Sequence, residues 1–131
     1  MTWKVIKSEY INDILDLLLD SDEEGLLTRK QIPFLTEKNF DYTDSGVFVY
    51  FEHKTGVEKF KAEKQDLVLD GLKIYSSEYQ IEAQATLFFK EGIIDNLEIW
   101  CYVGDYPKSY LNSYTITQTW LNSNNKTITR P

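Results

Sequence analysis

The chain has 131 residues with one cysteine, one histidine and one methionine. A lone cysteine, Cys101, excludes an internal disulfide and any cysteine-rich zinc module. With His53 as the sole histidine, no serine in a nucleophile-elbow context and neither the G-x-G-x-x-G nor the P-loop spacing, nucleophilic catalysis and phosphate cradling find no footing. No stretch approaches the ~20 apolar residues a membrane span requires. In Met1-Thr2-Trp3-Lys4-Val5-Ile6-Lys7 charge interrupts the apolar run, so the sequence predicts no signal peptide and a soluble, cytoplasmic protein. Positive charge is also scarce: 14 Lys and Arg stand against 21 Asp and Glu, a net charge of -7. Such a field repels nucleic acid, whose binding rests on cationic contacts to phosphates, and attracts a basic protein or a cation.

What is present is apolar and aromatic. Apolar residues make up 42% and aromatics 15%, enough to bury a core without staples. There is no internal repeat and no linker-like stretch, so one domain is expected over residues 1–121, followed by a polar, flexible tail over 122–131. Ser8 and Glu9 open a helix, the first as cap and the second as complement to the dipole. Tyr10, Ile11, Ile14, Leu15 and Leu18 recur at helical spacing with Asn12, Asp13 and Asp16 opposite, and the pattern ends around Asp20. Thereafter the period is two. Val47, Val49 and Phe51 alternate with Phe48, Tyr50 and Glu52. Lys54-Thr55-Gly56 reads as a turn with Val57 to Phe60 returning, and Leu67 to Tyr75 as a strand kinked at Asp70-Gly71. Pro107 to Leu111 suggests one helical turn, and Tyr114 to Leu121 a last β-branched strand. This order of elements predicts an α+β fold, an N-terminal helix packed on a curved, mostly antiparallel β-sheet.

The hairpin from Tyr79 to Tyr102 allows a register to be argued. A three-residue loop Lys90-Glu91-Gly92, with Gly92 left-handed, sets Phe89 against Ile93, Ala85 against Leu97, Ala83 against Ile99 and Ile81 against Cys101, one apolar face. A two-residue Glu91-Gly92 turn instead sets Ala85 against Glu98 and breaks that face. On the opposite face the three-residue loop pairs Glu82 with Trp100, Gln84 with Glu98, Thr86 with Asn96 and Phe88 with Ile94.

Three constellations bear on chemistry. Glu82 and Glu98 become diagonal neighbours, ~7 Å apart, a spacing a carboxylate pair could use for acid–base work, although solvated like charges explain it equally. His53 reads as a solvated turn residue and Cys101 as a core thiol. Asp20 to Gln31 resembles an EF-hand calcium loop, with acids at positions one, three and five and Gly25 at six. However, Gln31 stands where a bidentate Glu should close the shell, and Pro33 lies where the exiting helix should run. No metal or cofactor is therefore expected. The remaining candidate is a surface: Glu82, Gln84, Glu98, Trp100 and Tyr102 combine rigid aromatics with carboxylates, as a protein-binding patch does.

Leu87-Phe88-Phe89-Lys90-Glu91-Gly92-Ile93-Ile94-Asp95-Asn96-Leu97-Glu98-Ile99-Trp100 and the following Gly104-Asp105-Tyr106-Pro107 resemble the C-terminal half of small bacterial immunity proteins of polymorphic toxins, over residues 66–120. The resemblance implies a cytoplasmic, non-catalytic protein that binds and neutralises a toxin, for this acidic chain a basic toxin domain. The alternative is a small-ligand-binding domain of cystatin-like or NTF2-like shape, which would enclose a pocket of ~300 Å³ or more between helix and sheet.

Overall fold

Ser8 sits in an extended conformation before the first helix, α1 (Glu9–Leu18), and its hydroxyl oxygen accepts the Ile11 N–H at 3.2 Å. The computed structural model describes residues 6–20 and 23–131. On α1, Tyr10, Ile11, Ile14, Leu15, Leu17 and Leu18 are all buried, each contributing about 1.5–3 kcal/mol when removed from water. Asp13, expected on the solvent side, is buried as well, because Arg130 and Tyr114 reach it from the far end of the chain. A short helix α2 (Glu23–Thr28) and a 3₁₀ helix over Arg29–Phe34 follow.

Among the described residues, seven strands form one open sheet: β1 (Leu35–Thr43), β2 (Gly46–His53), β3 (Val68–Ser76), β4 (Ile81–Lys90), β5 (Ile93–Val103), β6 (Tyr114–Gln118) and β7 (Thr127–Arg130). Their order is β1-β2-β5-β4-β3-β6-β7, and every neighbouring pair is antiparallel. The helix packs on β3, β4 and β6, so the α+β architecture expected from the sequence is the one found. Leu72, Ile74, Ala83, Ala85, Leu87, Leu97, Ile99 and Ile116 face α1 and are almost wholly buried. Strand β3 runs through Asp70-Gly71 with a shift of register between Leu69 and Leu72, the anticipated kink.

Several local expectations are overturned. Val57–Phe60 is a 3₁₀ helix and not a returning strand, and Pro107 to Leu111 makes bends without a helical turn. Strand β1 had no counterpart in the pattern of the sequence. Within residues 122–131, read as a polar tail, Thr127–Arg130 forms β7, zipped to β6 by hydroxyl contacts Thr115–Thr129 and Thr117–Thr127. Arg130 anchors this strand by donating through Nε and a terminal nitrogen to the two Asp13 oxygens at 2.9 and 3.0 Å.

The hairpin register also differs from expectation. Glu91 and Gly92 alone form the loop, both with positive φ (53° and 80°), so Lys90 faces Ile93 and Phe89 faces Ile94. One residue later the ladder slips: Phe88 faces Asn96, and Asp95 is an extra residue in β5. Loop and bulge each change the pairing by one, and together they preserve parity. Ala85 therefore faces Ile99 and Ala83 faces Cys101, two positions from the expected partners but with the same face buried. The tip is held by Ala62 N–H donating to the Gly92 carbonyl at 2.9 Å and Gly92 N–H donating to Gln65 at 2.8 Å.

Candidate functional site

Alternation along each strand divides the sheet into a face under α1 and an outer face turned away from it. Rungs across the outer face follow from the ladder. One runs Asp41, Phe48, Glu98, Thr86, and the next runs Gly46, Trp100, Gln84, Lys73, Thr117, Thr127. Trp100 keeps 50% of its surface exposed, Tyr102 40% and Tyr75 47%, so the indole is a surface group and not part of the core.

The five residues singled out from the sequence all lie on this face, in altered partnership. Gln84, and not Glu82, is opposite Trp100, and the Trp100 and Tyr102 rings lie 5.7 Å apart at 36°. Glu98 faces Thr86, while Glu82 lies opposite Val103 at the second irregularity of the hairpin. The two carboxylates are thus four positions apart along β4, about 13 Å. That is too far for the diagonal pair expected above, and Glu82 is further committed to Lys73, whose ammonium lies 2.6 Å from its Oε1. The Glu82 hydrogen bond holds the Lys73 pKa above its ordinary value. Glu98, by contrast, makes no ion pair or side-chain hydrogen bond among the described residues.

Sequence reasoning did not include Phe48, Tyr50, Asp41 or Tyr75 in this surface. The signal for the first two was present, since a strand with aromatics on both faces is either doubly covered or exposes one set. Their rings lie 6.4 Å apart at 23°, and β2 places them beside β5. Asp41 could not be placed without β1, and Tyr75 needed the pairing of β3 with β4.

Other candidates resolve into structural roles. Cys101 is buried, donates its thiol to the Val103 carbonyl at 3.1 Å, and has its pKa raised by desolvation, so it is a poor nucleophile. His53 is exposed at the end of β2. In the calcium-like segment Ser21 and Asp22 lie outside the described residues. Asp20 is engaged by Lys126 at 2.9 Å, by Gln118 and by Arg29, and its pKa is lowered, chiefly by the Lys126 hydrogen bond. Gln31 points into the protein. Its amide nitrogen donates to the Phe60 and Gly92 carbonyls, and its oxygen accepts the Ile94 N–H at 2.8 Å.

The space between helix and sheet is filled by side chains such as Ile14, Leu18, Ile74 and Leu97, each at 0% exposure. A depression of about 500 Å³ lies elsewhere, between α1 and the 3₁₀ helix at Arg29–Phe34, lined by Asp13, Leu15, Asp16, Leu19, Arg29 and Ile32 among others. Its charged groups already serve one another or Arg130, with Arg29 2.6 Å from Asp16. No helix among the described residues is long and apolar enough to cross a membrane. Comparison of the chain with protein-family models, with curated proteins and with solved structures finds no match.

Proposed function

We propose that this protein is a non-catalytic protein-binding module, an immunity protein that holds and neutralises a basic bacterial toxin domain in the cytoplasm. The observation that carries the reading is the outer sheet face, where Trp100 and Tyr102 stand half exposed beside carboxylates. Large rings lose little conformational freedom on docking and dominate interface energetics. A net charge of -7 speeds encounter with a cationic partner and disfavours nucleic acid. The resemblance of residues 66–120 to immunity proteins supplies the biological direction. Among the described residues, side chains between helix and sheet such as Ile14, Leu18, Ile74 and Leu97 are wholly buried, which supports docking over the cystatin-like or NTF2-like alternative.

Co-expression is the direct test. The protein should rescue growth of cells producing its cognate toxin domain, and should bind that domain at submicromolar concentration or tighter. Trp100→Ala should raise the dissociation rate, with a loss of ~2 kcal/mol or more if the indole is central. Rescue that is unaffected by Trp100→Ala and by Glu98→Lys in folded variants would put the interface elsewhere. Absence of rescue and of binding would remove the toxin reading.

A further inference from the structure

Resting on the protein-binding reading above, the geometry points to a narrower statement about the partner. We infer that the seam between β2 and β5 is the centre of the docking surface and that it receives an arginine side chain presented by a protein. On the central rung, Phe48 lies between Asp41 on β1 and Glu98 on β5. The two carboxylates flank the ring at two strand spacings, about 10 Å in total. Neither makes an ion pair or side-chain hydrogen bond among the described residues, in contrast to Glu82, which Lys73 neutralises. Tyr50 extends the aromatic floor along β2, and Trp100 extends it one rung away on β5.

Gly46 faces Trp100 across the seam, so no side chain stands on the β2 flank of the indole. The floor is half-buried at Phe48 and Tyr50 and half-exposed at Trp100, with Gly46 buried at its edge, so it is a shallow surface. A flat cation fits it better than a compact one. Guanidinium stacks on an aromatic face while its N–H groups donate sideways to carboxylates, whereas ammonium is a strongly hydrated point charge. A second copy of this chain is the wrong occupant, because Asp41, Glu52 and Glu98 would meet their own like charges.

The experiment uses two synthetic peptides of equal charge, one with two arginines spaced by glycine and one with two lysines, titrated into the full-length protein at low ionic strength. Amide shifts read by NMR should concentrate on residues 46–50 and 96–102. The arginine peptide should bind about two- to fivefold more tightly than the lysine peptide. Glu98→Gln and Phe48→Leu should each weaken the arginine peptide about threefold, while Glu63→Gln, which removes the same charge from a distant loop, should change it less than about 1.5-fold. Equal losses from Glu63→Gln and Glu98→Gln, shifts spread over the molecule, indifference to arginine against lysine, or no binding would each overturn the inference. Dispersed spectra establish that the variants are folded, and Glu98→Gln, at a half-buried position of β5 with the same shape, removes only a charge. Failure here is distinguishable from failure of the immunity reading. Rescue of toxin-producing cells that survives Glu98→Gln and Phe48→Leu removes the arginine seat alone. Peptide binding at the seam in a chain that rescues no cells removes the immunity reading alone.

Discussion

Replacing Gln31 by glutamate introduces the residue that would complete the calcium-loop pattern, and the structure says it will do harm. Gln31 is 0% exposed and makes three hydrogen bonds: Nε2 donates to the carbonyls of Phe60 and Gly92, both at 2.9 Å, and Oε1 accepts from Ile94 at 2.8 Å. An ionised carboxylate keeps the last bond and loses the other two; the Gly92 carbonyl retains the Ala62 N–H, while the part-buried Phe60 carbonyl loses the Gln31 donor, at about 1–3 kcal/mol. It also faces those oxygens with negative charge in a dry site. With the uncompensated buried charge added, a loss of about 3 kcal/mol or more at neutral pH is expected, a large part of the roughly 5–15 kcal/mol that holds a domain of this size together. Protonation restores one donor. The introduced carboxyl therefore has a folded pKa above its unfolded value of about 4.3, and the folded state binds the extra proton between the two. Relative to wild type, the variant is least impaired below about pH 4, and it loses up to about 1.4 kcal/mol per pH unit as pH rises from there to the folded pKa. Urea unfolding of both proteins across that range, with and without calcium, measures the difference. Gln31→Met should be destabilised without this slope. A wild-type midpoint for Gln31→Glu at neutral pH, or a midpoint that calcium raises, would refute the clasp and restore a cation loop.

Gly92→Ala should cost more than the ~1 kcal/mol of a left-handed turn residue. A Cβ there would lie 2.7 Å from the Ala62 backbone oxygen, and chemical denaturation against a Glu91 variant as control reads the effect. Gly46→Ala should be more severe, since its Cβ would overlap the Ile99 carbonyl at the β2–β5 seam, and loss of amide dispersion in NMR would show it. Asp13 has its pKa lowered: burial opposes ionisation, but hydrogen bonds from Arg130 and Tyr114 outweigh it. Its contribution to stability is complete above the unfolded pKa of about 3.9 and is lost as pH falls through the lower folded value. Arg130→Gln should therefore flatten the acid limb of a thermal-melt profile, and an unchanged limb would show that the pair carries none of it.

The parts of the fold legible in the sequence were those whose cause is local. Ser8 announces a helix through its own hydroxyl, and the alternation from Ile81 to Phe89 announces a strand through its own side chains. Strand β1 was hidden because Lys38, Asn39 and Asp41 interrupt its pattern, and β7 because four residues of Thr-Ile-Thr-Arg form a strand only with β6 and Asp13 to hold them. Gln31 was legible only as a defective ligand, since its true partners lie 29, 61 and 63 residues away in sequence. The candidate surface was half visible. Its β5 residues followed from strand parity, but Phe48 and Asp41 joined them only through the pairing of β2 with β5 and β1.

The bulge at Asp95 gives the hairpin an arithmetic of its own. Seven residues stand between Phe88 and Asn96, one more than two facing pairs and a two-residue loop require, and the bulge absorbs the surplus so that the downstream faces keep their parity. Deleting Asp95 alone would remove the bulge and leave the pairing beyond it unchanged, with Phe88 facing Asn96 and Ala85 facing Ile99, whereas pairing Asp95 into a regular ladder would bring Ala85 opposite Glu98 and turn Glu98 and Trp100 toward α1. Among sequences descended from this one, the surplus residue at position 95 should therefore be the one the hairpin can lose without exchanging its buried face for its outer one.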